Sequence, residues 1–302
     1  MSNIDISIIS PIYNEENNIA PFLEKIKQIL EKITDSYEII FAMDPSTDNT
    51  EIKIKQFAQK DKRIKLIKFS RRFGQPSATI AGIQNSSGER LVIIDVDLQD
   101  PPEVILQMNE KMNEGFDVVF AKRSSREGET FIKKKVSEFG YWLINNFTEI
   151  KIPKNVGDFR MINKKVVNHL KQFKEKHGFL RGLVSYVGFK QTQVIFDRLP
   201  RKNDKSKYNK FIGSLKIGLN GLICFSDKPL KIIYFLGSFL ILISILLLIL
   251  SFLHNLRLFD IFILVLFGVL FLSIGLLGEY ISRTYDEVKE RPQFIIDEKV
   301  NF

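Results

Sequence analysis

The first half of the chain alternates between short β-rich runs and segments whose apolar residues recur at helical spacing. Apolar residues three or four positions apart lie on one face of a helix, whereas a short run rich in Val and Ile is typical of a buried strand. The predicted strands are residues 4–10, 38–42, 64–69, 90–95, 117–121, 158–162 and 189–196, and the predicted helices are residues 17–33, 50–59, 76–85, 101–113 and 130–147.

This β-α-β-α order predicts an α/β fold: an open, mostly parallel, Rossmann-like sheet with helices on both faces. The run at 90–95 is almost continuously apolar, as expected for a parallel strand buried on both sides. Ligands of such sheets bind outside the carboxyl ends of the strands. Functional residues are therefore expected directly after each strand.

Two long uncharged apolar runs follow, at residues 232–253 and 261–278. About 20 apolar residues can cross a bilayer as a helix, and a pair of buried core helices is the alternative interpretation. The short polar break between the runs predicts a helical hairpin whose two ends face the same side of the membrane. Basic residues flank both ends of the hairpin, at Lys228, Lys231, Arg283, Lys289 and Arg291. The positive-inside rule therefore predicts that both termini lie in the cytoplasm.

Residues 201–230 are basic and then amphipathic, which predicts helix lying on the membrane surface. The predicted organisation is an α/β domain at 1–200, a juxtamembrane amphipathic segment at 201–230, two transmembrane helices at 231–280 and a cytoplasmic C-terminal tail at 281–302. The N-terminus shows no basic segment followed by an apolar core, so no signal peptide is predicted.

The formal net charge of +9, from 44 Lys and Arg against 35 Asp and Glu, indicates anionic partners. A solvated, lysine-rich surface is the alternative. The membrane hairpin and the lack of a basic and aromatic recognition motif argue against nucleic acid as a partner. Cys224 is the single cysteine, so neither an intrachain disulfide nor a cysteine metal cluster can form.

An acidic turn follows the predicted strand 90–95 and contains Asp95, Asp97, Gln99 and Asp100, before a Pro-Pro pair that opens a helix. Two carboxylates two residues apart at a strand end can hold a hard divalent cation, which prefers oxygen ligands and can bridge a diphosphate. An acidic turn that caps the next helix is the alternative interpretation.

Polar and aromatic residues also follow the first two predicted strands. Pro11, Tyr13 and Glu15 follow the first strand, and Asp44 and Ser46 follow the second. An aromatic ring and a carboxylate at these positions could stack on a base and hydrogen-bond a ribose. Taken singly, each segment could also be an ordinary turn or helix N-cap.

Taken together, these motifs resemble the inverting glycosyltransferases of family 2, which have the GT-A fold, and more narrowly the polyprenyl-phosphate glycosyltransferases, such as bactoprenol glucosyltransferases and dolichol-phosphate mannose synthases. The matching segments are 11–16, 44–48, 70–74, 81–82, 95–103, 157–160, 179–182, 206–208, 225–226 and 278–292. The chain departs from the family pattern at Pro45, where Gly is usual, and at Asn203-Asp204, where the family has Ala-Gly.

The resemblance implies roles for the residues near the donor. Asp97 and Gln99 would hold Mg²⁺ or Mn²⁺, and Asp95 would lie nearer the ribose and the donor phosphates. The donor-binding set is Pro11, Tyr13, Glu15, Asp44, Ser46, Asp95 and Arg123. Asp158 matches a family carboxylate near the reacting sugar and is predicted, with Asp97, to be catalytic. A structural ion pair with Arg160 is the alternative for Asp158.

The predicted acceptor-phosphate site comprises Arg201, Lys205, Ser206 and Lys207, between the last strand and the membrane-surface helix. Simple attraction to anionic lipid head groups is the alternative for its basic residues. The expected activity is metal-dependent transfer from a nucleotide-sugar, with a UDP-sugar preferred, to undecaprenyl or another polyprenyl phosphate. The product would serve cell-surface glycan modification, and the enzyme would be a multi-pass protein of the inner membrane that self-associates.

Two rival functions remain open. A polysaccharide synthase of the same superfamily would carry an Arg-Trp element, but the single tryptophan, Trp142, follows Tyr141. An inactive, membrane-anchored nucleotide-binding scaffold would be expected to lack some of the acidic residues that are intact here.

Overall fold

The structure is a computed structural model that describes residues 4–124, 146, 156–175, 180–198, 223–226, 228–254 and 258–302. The strands are β1 (Ile6–Ile12), β2 (Tyr37–Met43), β3 (Ile64–Phe69), β4 (Arg90–Ile93), β5 (Val118–Arg123), β6 (Val156–Asn163), β7 (Gln191–Phe196) and β8 (Ile296–Val300). The helices are α1 (Ile19–Leu30), α2 (Thr50–Lys60), α3 (Gln75–Asn85), α4 (Val104–Asn113), α5 (Lys164–Leu170), α6 (Leu180–Tyr186), α7 (Lys228–His254) and α8 (Leu258–Val288).

Among the described residues, one sheet contains all eight strands in the order β7-β5-β6-β4-β1-β2-β3-β8. Strand β1 pairs in parallel with β2 and β4, β2 with β3, and β5 with β7. Strand β6 runs antiparallel between β4 and β5, and β8 runs antiparallel along β3. The predicted α/β class is therefore confirmed, with one antiparallel strand, β6, inside a mostly parallel sheet and another, β8, at its edge.

The central strands carry hydrophobic cores on both faces. All residues of β1 and β2 are buried. Ile8 packs into the core beneath α1, whereas Ile9 packs with Ile83 of α3 on the opposite face, because successive strand side chains point to opposite sides. Gly82 lets α3 approach β1 closely, since a Cβ there would overlap the Ile9 side chain.

The structure shifts the ends of several predicted elements. Strand β4 ends at Ile93 instead of residue 95, and α4 begins at Val104 instead of residue 101. A residue that precedes a proline is kept out of the helical region, so the Pro101-Pro102 pair delays the helix. The predicted helix 130–147 lies outside the described residues except Asn146, as does segment 201–230 except 223–226 and 228–230.

Helices α7 and α8 contain the two predicted apolar runs. Both are long and apolar enough to cross a membrane, over Lys228–Leu247 and Val265–Val288. Large apolar side chains on them lack a protein covering, since Phe235 is 78% exposed and Leu272 is 77% exposed. Helix α8 also continues beyond the predicted apolar run and donates a hydrogen bond from the Tyr280 hydroxyl to the Ser226 carbonyl at 2.7 Å.

The C-terminal residues join the sheet, which the sequence analysis did not predict. It assigned 281–302 to a tail, whereas this part of the chain extends α8 and then forms the edge strand β8. Lys55 Nζ lies 2.6 Å from Glu298 Oε2, and Asn301 Nδ2 donates to the Ala58 carbonyl at 2.7 Å. A short charged strand carries little hydrophobic signal, so only its pairing with β3 reveals it.

Candidate active site

The predicted donor, metal and catalytic residues lie along one edge of the sheet. This edge is formed by the carboxyl ends of β1, β2, β4 and β5 and by the start of β6, which runs in the opposite direction. Asp44 follows β2, Asp95 and Asp97 follow β4, Arg123 ends β5, and Asp158 lies near the start of β6. The predicted residues therefore lie at the edge of the sheet where open α/β sheets generally bind their ligands.

The acidic turn after β4 contains a strained residue. Leu98 has a φ of 56°, in the left-handed region that costs a residue with a side chain about 1–2 kcal/mol. Its side chain packs against the core beneath α1. Asp97 Oδ1 accepts a hydrogen bond from the Gln99 backbone N–H at 3.1 Å. The inward Leu98 thus leaves Asp97 and Gln99 partly exposed on either side of it.

Negative charge is concentrated around Asp95. Burial raises the pKa of Asp95 to about 7, and repulsion from the carboxylates of Asp97 and Asp158 adds to the rise. Asp100 makes a smaller contribution of the same sign. The Gln75 side-chain amide donates a hydrogen bond to Asp95 Oδ1 at 3.1 Å. These carboxylates form one electrostatically coupled cluster.

Asp158 is held by two arginines. Arg181 Nε lies 2.9 Å from Asp158 Oδ1, and Arg181 Nη2 lies 3.4 Å from Oδ2. Arg160 is fully buried, and its Nη2 lies 3.8 Å from Asp158 Oδ1. Burial would raise the pKa of Asp158, but the two guanidinium groups outweigh it and lower the pKa below its ordinary value. Asp158 is therefore ionised at neutral pH, and its closer partner is Arg181, whereas the alternative interpretation had paired it with Arg160.

Asp100 is the second carboxylate with two arginine partners. It is only 3% exposed, and its Oδ1 lies 3.2 Å from Arg198 Nε and 3.6 Å from Arg123 Nη2. Burial raises the pKa of Asp100, and the two guanidinium groups oppose that rise. Arg123, predicted as a donor-phosphate ligand, thus lies beside the acidic turn.

Hydrogen bonds connect the loop after β1 to the loop after β2, and both loops contain predicted donor-binding residues. Ser46 Oγ accepts the Asn14 backbone N–H at 3.1 Å, and Asn14 Oδ1 accepts the Thr47 N–H at 2.8 Å. The Glu15 N–H donates to Thr50 Oγ1 at 2.9 Å. Pro11 is buried within β1. These hydrogen bonds hold the loops after β1 and β2 against each other.

Asp44 shapes a third loop, between β3 and α3. Its carboxylate is buried and accepts the backbone N–H groups of Phe73 at 2.8 Å and Gly74 at 3.0 Å. In the same loop, the Arg72 guanidinium lies 4.2 Å from the centre of the Tyr13 ring. Asp44 thus fixes the loop that brings a cation onto the aromatic residue predicted to stack on the base.

The acidic turn suits a cation that takes part of its coordination from substrate. Among the described residues, no group of three or more His, Cys, Asp or Glu side chains is arranged as a metal site. Asp97 and Gln99 nevertheless offer partly exposed oxygen ligands beside concentrated negative charge. Magnesium is commonly bound by one or two carboxylates together with waters and substrate phosphates, and this donor set fits that arrangement.

Three arginines that contact predicted site residues or the acidic turn were not predicted from the sequence: Arg72, Arg181 and Arg198. Arg72 and Arg181 lie in segments that match the family pattern. The neighbouring sequence does not indicate that Arg181 binds a carboxylate or that Arg72 packs on an aromatic ring. Arg198 follows β7 within a basic stretch. Its position just after a strand end is the one feature of the sequence that could have predicted it as a site residue. The predicted acceptor residues Arg201, Lys205, Ser206 and Lys207 lie outside the described residues.

Comparison with known proteins identifies the family of the chain. Residues 7–171 match the sequence profile of Glycosyl transferase family 2. The chain belongs to glycosyltransferase family 2. It is 38% identical to the SfII prophage-derived bactoprenol glucosyl transferase of Shigella flexneri over 96% of this chain and 97% of that protein. It is 40% identical to the glycosyltransferase YkcC of Bacillus subtilis over 97% of this chain and 94% of that protein.

Solved structures share the fold of this family-2 chain. The mannosyltransferase PcManGT of Pyrobaculum calidifontis, in complex with GDP-Man and Mn²⁺, superposes with a TM-score of 0.51 at 15% identity, covering 74% of this chain and 64% of that one. Glucosyl-3-phosphoglycerate synthase of Mycobacterium tuberculosis, in complex with Mn²⁺, UDP-Glc and phosphoglyceric acid, superposes with a TM-score of 0.50 at 19% identity, covering 73% and 79%. The predicted GT-A fold is thereby confirmed.

Proposed function

We propose that this protein transfers a sugar from a nucleoside diphosphate sugar, preferably a UDP-sugar, to a polyprenyl phosphate such as undecaprenyl phosphate. The observation that carries the proposal is the full-length similarity to bactoprenol glucosyl transferases, which extends through both apolar helices. The product would be a polyprenyl monophosphate sugar for cell-surface glycan modification.

The reaction is a single displacement with inversion at the anomeric carbon. An oxygen of the acceptor phosphate forms the new bond to that carbon while the bond to the donor diphosphate breaks, and the nucleoside diphosphate leaves with the electron pair. A phosphate monoester is already anionic at neutral pH, so the site needs no strong general base. The protein's task is to bind and align two anionic substrates.

The described residues suit that task. Asp158, kept ionised by Arg181, would orient the sugar or the acceptor beside the reacting carbon. Arg123 would bind a donor phosphate, and Tyr13 would stack on the base. When bound by Asp97 and Gln99, Mg²⁺ or Mn²⁺ would supply Lewis-acid stabilisation to the leaving diphosphate. The Mn²⁺ in the structurally similar mannosyltransferase supports a divalent cation.

The apolar helices would anchor this site at the cytoplasmic face of the membrane. Strand β8 follows α8 and pairs with β3, so the chain must return to the side on which it entered. This pairing supports a two-span hairpin with both termini in the cytoplasm. Self-association of the protein in the membrane remains an expectation.

A donor and acceptor screen tests the function. Purified protein in detergent would be incubated with undecaprenyl phosphate, a set of UDP- and GDP-sugars, and Mg²⁺ or Mn²⁺, and lipid-linked sugar would be measured. We expect product from one donor, which chelator abolishes. Elongation of a glycan without lipid phosphate would instead indicate a polymer synthase, and nucleotide binding without turnover would indicate a scaffold.

A further inference from the structure

Helix α6 contacts the short segment that precedes the first apolar helix. Gly182 of α6 is buried, and the ring of Phe225 lies so close to it that a Cβ at this position would overlap ring atoms. Phe225 also packs against the hydrophobic cluster that contains Leu183 and Val184 of the same helix. Glycine at position 182 therefore leaves the room that the aromatic ring occupies.

Helix α8 holds the two residues on either side of Phe225 in the chain. The Arg283 guanidinium donates a hydrogen bond to Cys224 Sγ at 3.1 Å, and the Tyr280 hydroxyl donates to the Ser226 carbonyl at 2.7 Å. Both donors lie in the part of α8 that follows its uncharged apolar run. Residues 224–226 therefore connect this part of α8 to α6.

Helix α6 also carries the arginine that binds Asp158. Arg181 precedes Gly182 directly, and its Nε lies 2.9 Å from Asp158 Oδ1. Asp158 itself lies on β6, which is paired with β4 on one side and with β5 on the other. Because the strand is held by the sheet, a shift of α6 would change the geometry between the Arg181 guanidinium and the Asp158 carboxylate.

We propose that Phe225 is a positioning residue for the transfer reaction: by packing on Gly182, it holds α6 where Arg181 binds Asp158. The proposal rests on the proposed function, which assigns Asp158 to the reacting sugar or acceptor. Transfer between two bound substrates is sensitive to small errors in the placement of the groups that align them. The end of α8 is thereby linked to the active site through residues 224–226 and α6.

Kinetics of Gly182→Ala test the proposal, with undecaprenyl phosphate as acceptor and UDP-glucose, or the donor that the screen identifies. Because the new methyl group displaces the Phe225 ring, kcat is expected to fall about tenfold while the donor KM changes less than about twofold. Adding Phe225→Leu should recover part of kcat, since the smaller side chain leaves room for the methyl group. Gly275→Ala is the matched control on α8, where a Cβ would meet no described atom from elsewhere in the chain within 4 Å, and it should leave kcat unchanged.

A double-mutant cycle shows whether the effect passes through Arg181. Arg181→Gln is expected to lower kcat, and adding Gly182→Ala to it should lower kcat no further. Multiplying losses would overturn the proposal, as would a folded Gly182→Ala protein with a wild-type kcat. If Gly182→Ala does not fold, a wild-type kcat for the single variant Phe225→Leu would overturn it.

The packing of Phe225 can also be measured without turnover. Cys224 is the single cysteine of the chain, and burial raises the pKa of its thiol. Gly182→Ala should therefore speed the alkylation of Cys224 by N-ethylmaleimide, whereas Gly275→Ala should not. A lowered kcat with an unchanged alkylation rate would overturn the proposal, because the loss would not come from displacement of Phe225. Failure of the wild-type protein to use undecaprenyl phosphate would instead refute the proposed function.

Discussion

At the scale of single residues, the acidic turn depends on Leu98, whose side chain reaches the core from a left-handed backbone conformation. The strain is local, and it places Asp97 and Gln99 on the exposed side of the turn. A branch at Cβ makes this conformation still less favourable. The size and the branching of the side chain can therefore be separated by mutation.

Leu98→Ile is expected to lower the free energy of unfolding by about 1–2 kcal/mol and to reduce turnover, because it adds a Cβ branch at positive φ. Leu98→Met keeps an unbranched apolar side chain of similar volume and is expected to cost less. Thermal unfolding and transferase activity measure both variants. Equal behaviour of Ile and Met at this position would show that the turn is not strained.

Asp97→Asn is expected to lower kcat/KM at least about a hundredfold, equivalent to about 3 kcal/mol of transition-state stabilisation. The fold should survive, since the residue lies partly exposed in a turn. Glu103→Gln, an exposed carboxylate just beyond the turn, is the matched control and should retain activity. Activity of Asp97→Asn that approaches wild type in the presence of chelator would contradict the proposed metal site.

At the scale of elements, Asp61 joins the end of α2 to α1 and to the start of β3. Its Oδ2 lies 2.6 Å from Lys27 Nζ, and its Oδ1 accepts both the backbone N–H and Nε of Arg63 at 3.0 Å. Burial opposes ionisation, but the hydrogen bonds from Arg63 and Lys27 outweigh it and hold the pKa of Asp61 well below its ordinary range. Its stabilising contribution is therefore present above the unfolded pKa of about 4 and lost as pH falls through the lower, folded pKa.

Asp61→Asn is expected to destabilise the protein by about 1–3 kcal/mol at pH 7, and this difference should shrink as the pH falls below about 4. Chemical unfolding of the full chain in detergent at several pH values measures it. The exposed Asp35→Asn is the control and should show no such pattern. A deficit that stays constant down to pH 3 would indicate that the carboxylate charge does not contribute.

At the scale of the whole molecule, β8 connects the two apolar helices back to the α/β domain. The strand pairs with β3, and Phe294 packs on Phe69 with ring centres 5.4 Å apart. Since β8 follows α8 in the chain, the segment that contains the two apolar helices is joined to the α/β domain at both of its ends. The position of the C-terminus thus becomes a test of membrane topology.

Reporter fusions at the two termini of the full chain should both report the cytoplasm, because the C-terminus must reach β3 to complete the sheet. A fusion inserted between α7 and α8 should report the opposite side and provides the internal control. A C-terminal reporter on the outer side of the membrane would contradict both the hairpin and the β3–β8 pairing.

The sequence alone determined the alternation of strands and helices from β1 to β5, the strand end that carries the acidic turn, and the two apolar helices. Each of these follows from local patterns: period-two and period-3.6 spacing, uncharged runs, and polar residues placed directly after strands. The resemblance to family-2 glycosyltransferases then supplied the expected chemistry of Asp97, Gln99 and Asp158.

The tertiary structure alone decided which groups meet. Asp158 pairs more closely with Arg181 than with its sequence neighbour Arg160, and Asp100 meets Arg198 from a distant strand. Strand β8 could not be predicted from its charged sequence, and only its pairing with β3 identifies it as a strand. Hydrophobic periodicity is set by a few neighbouring residues, whereas an ion pair or an edge pairing depends on which strand ends the completed sheet brings together.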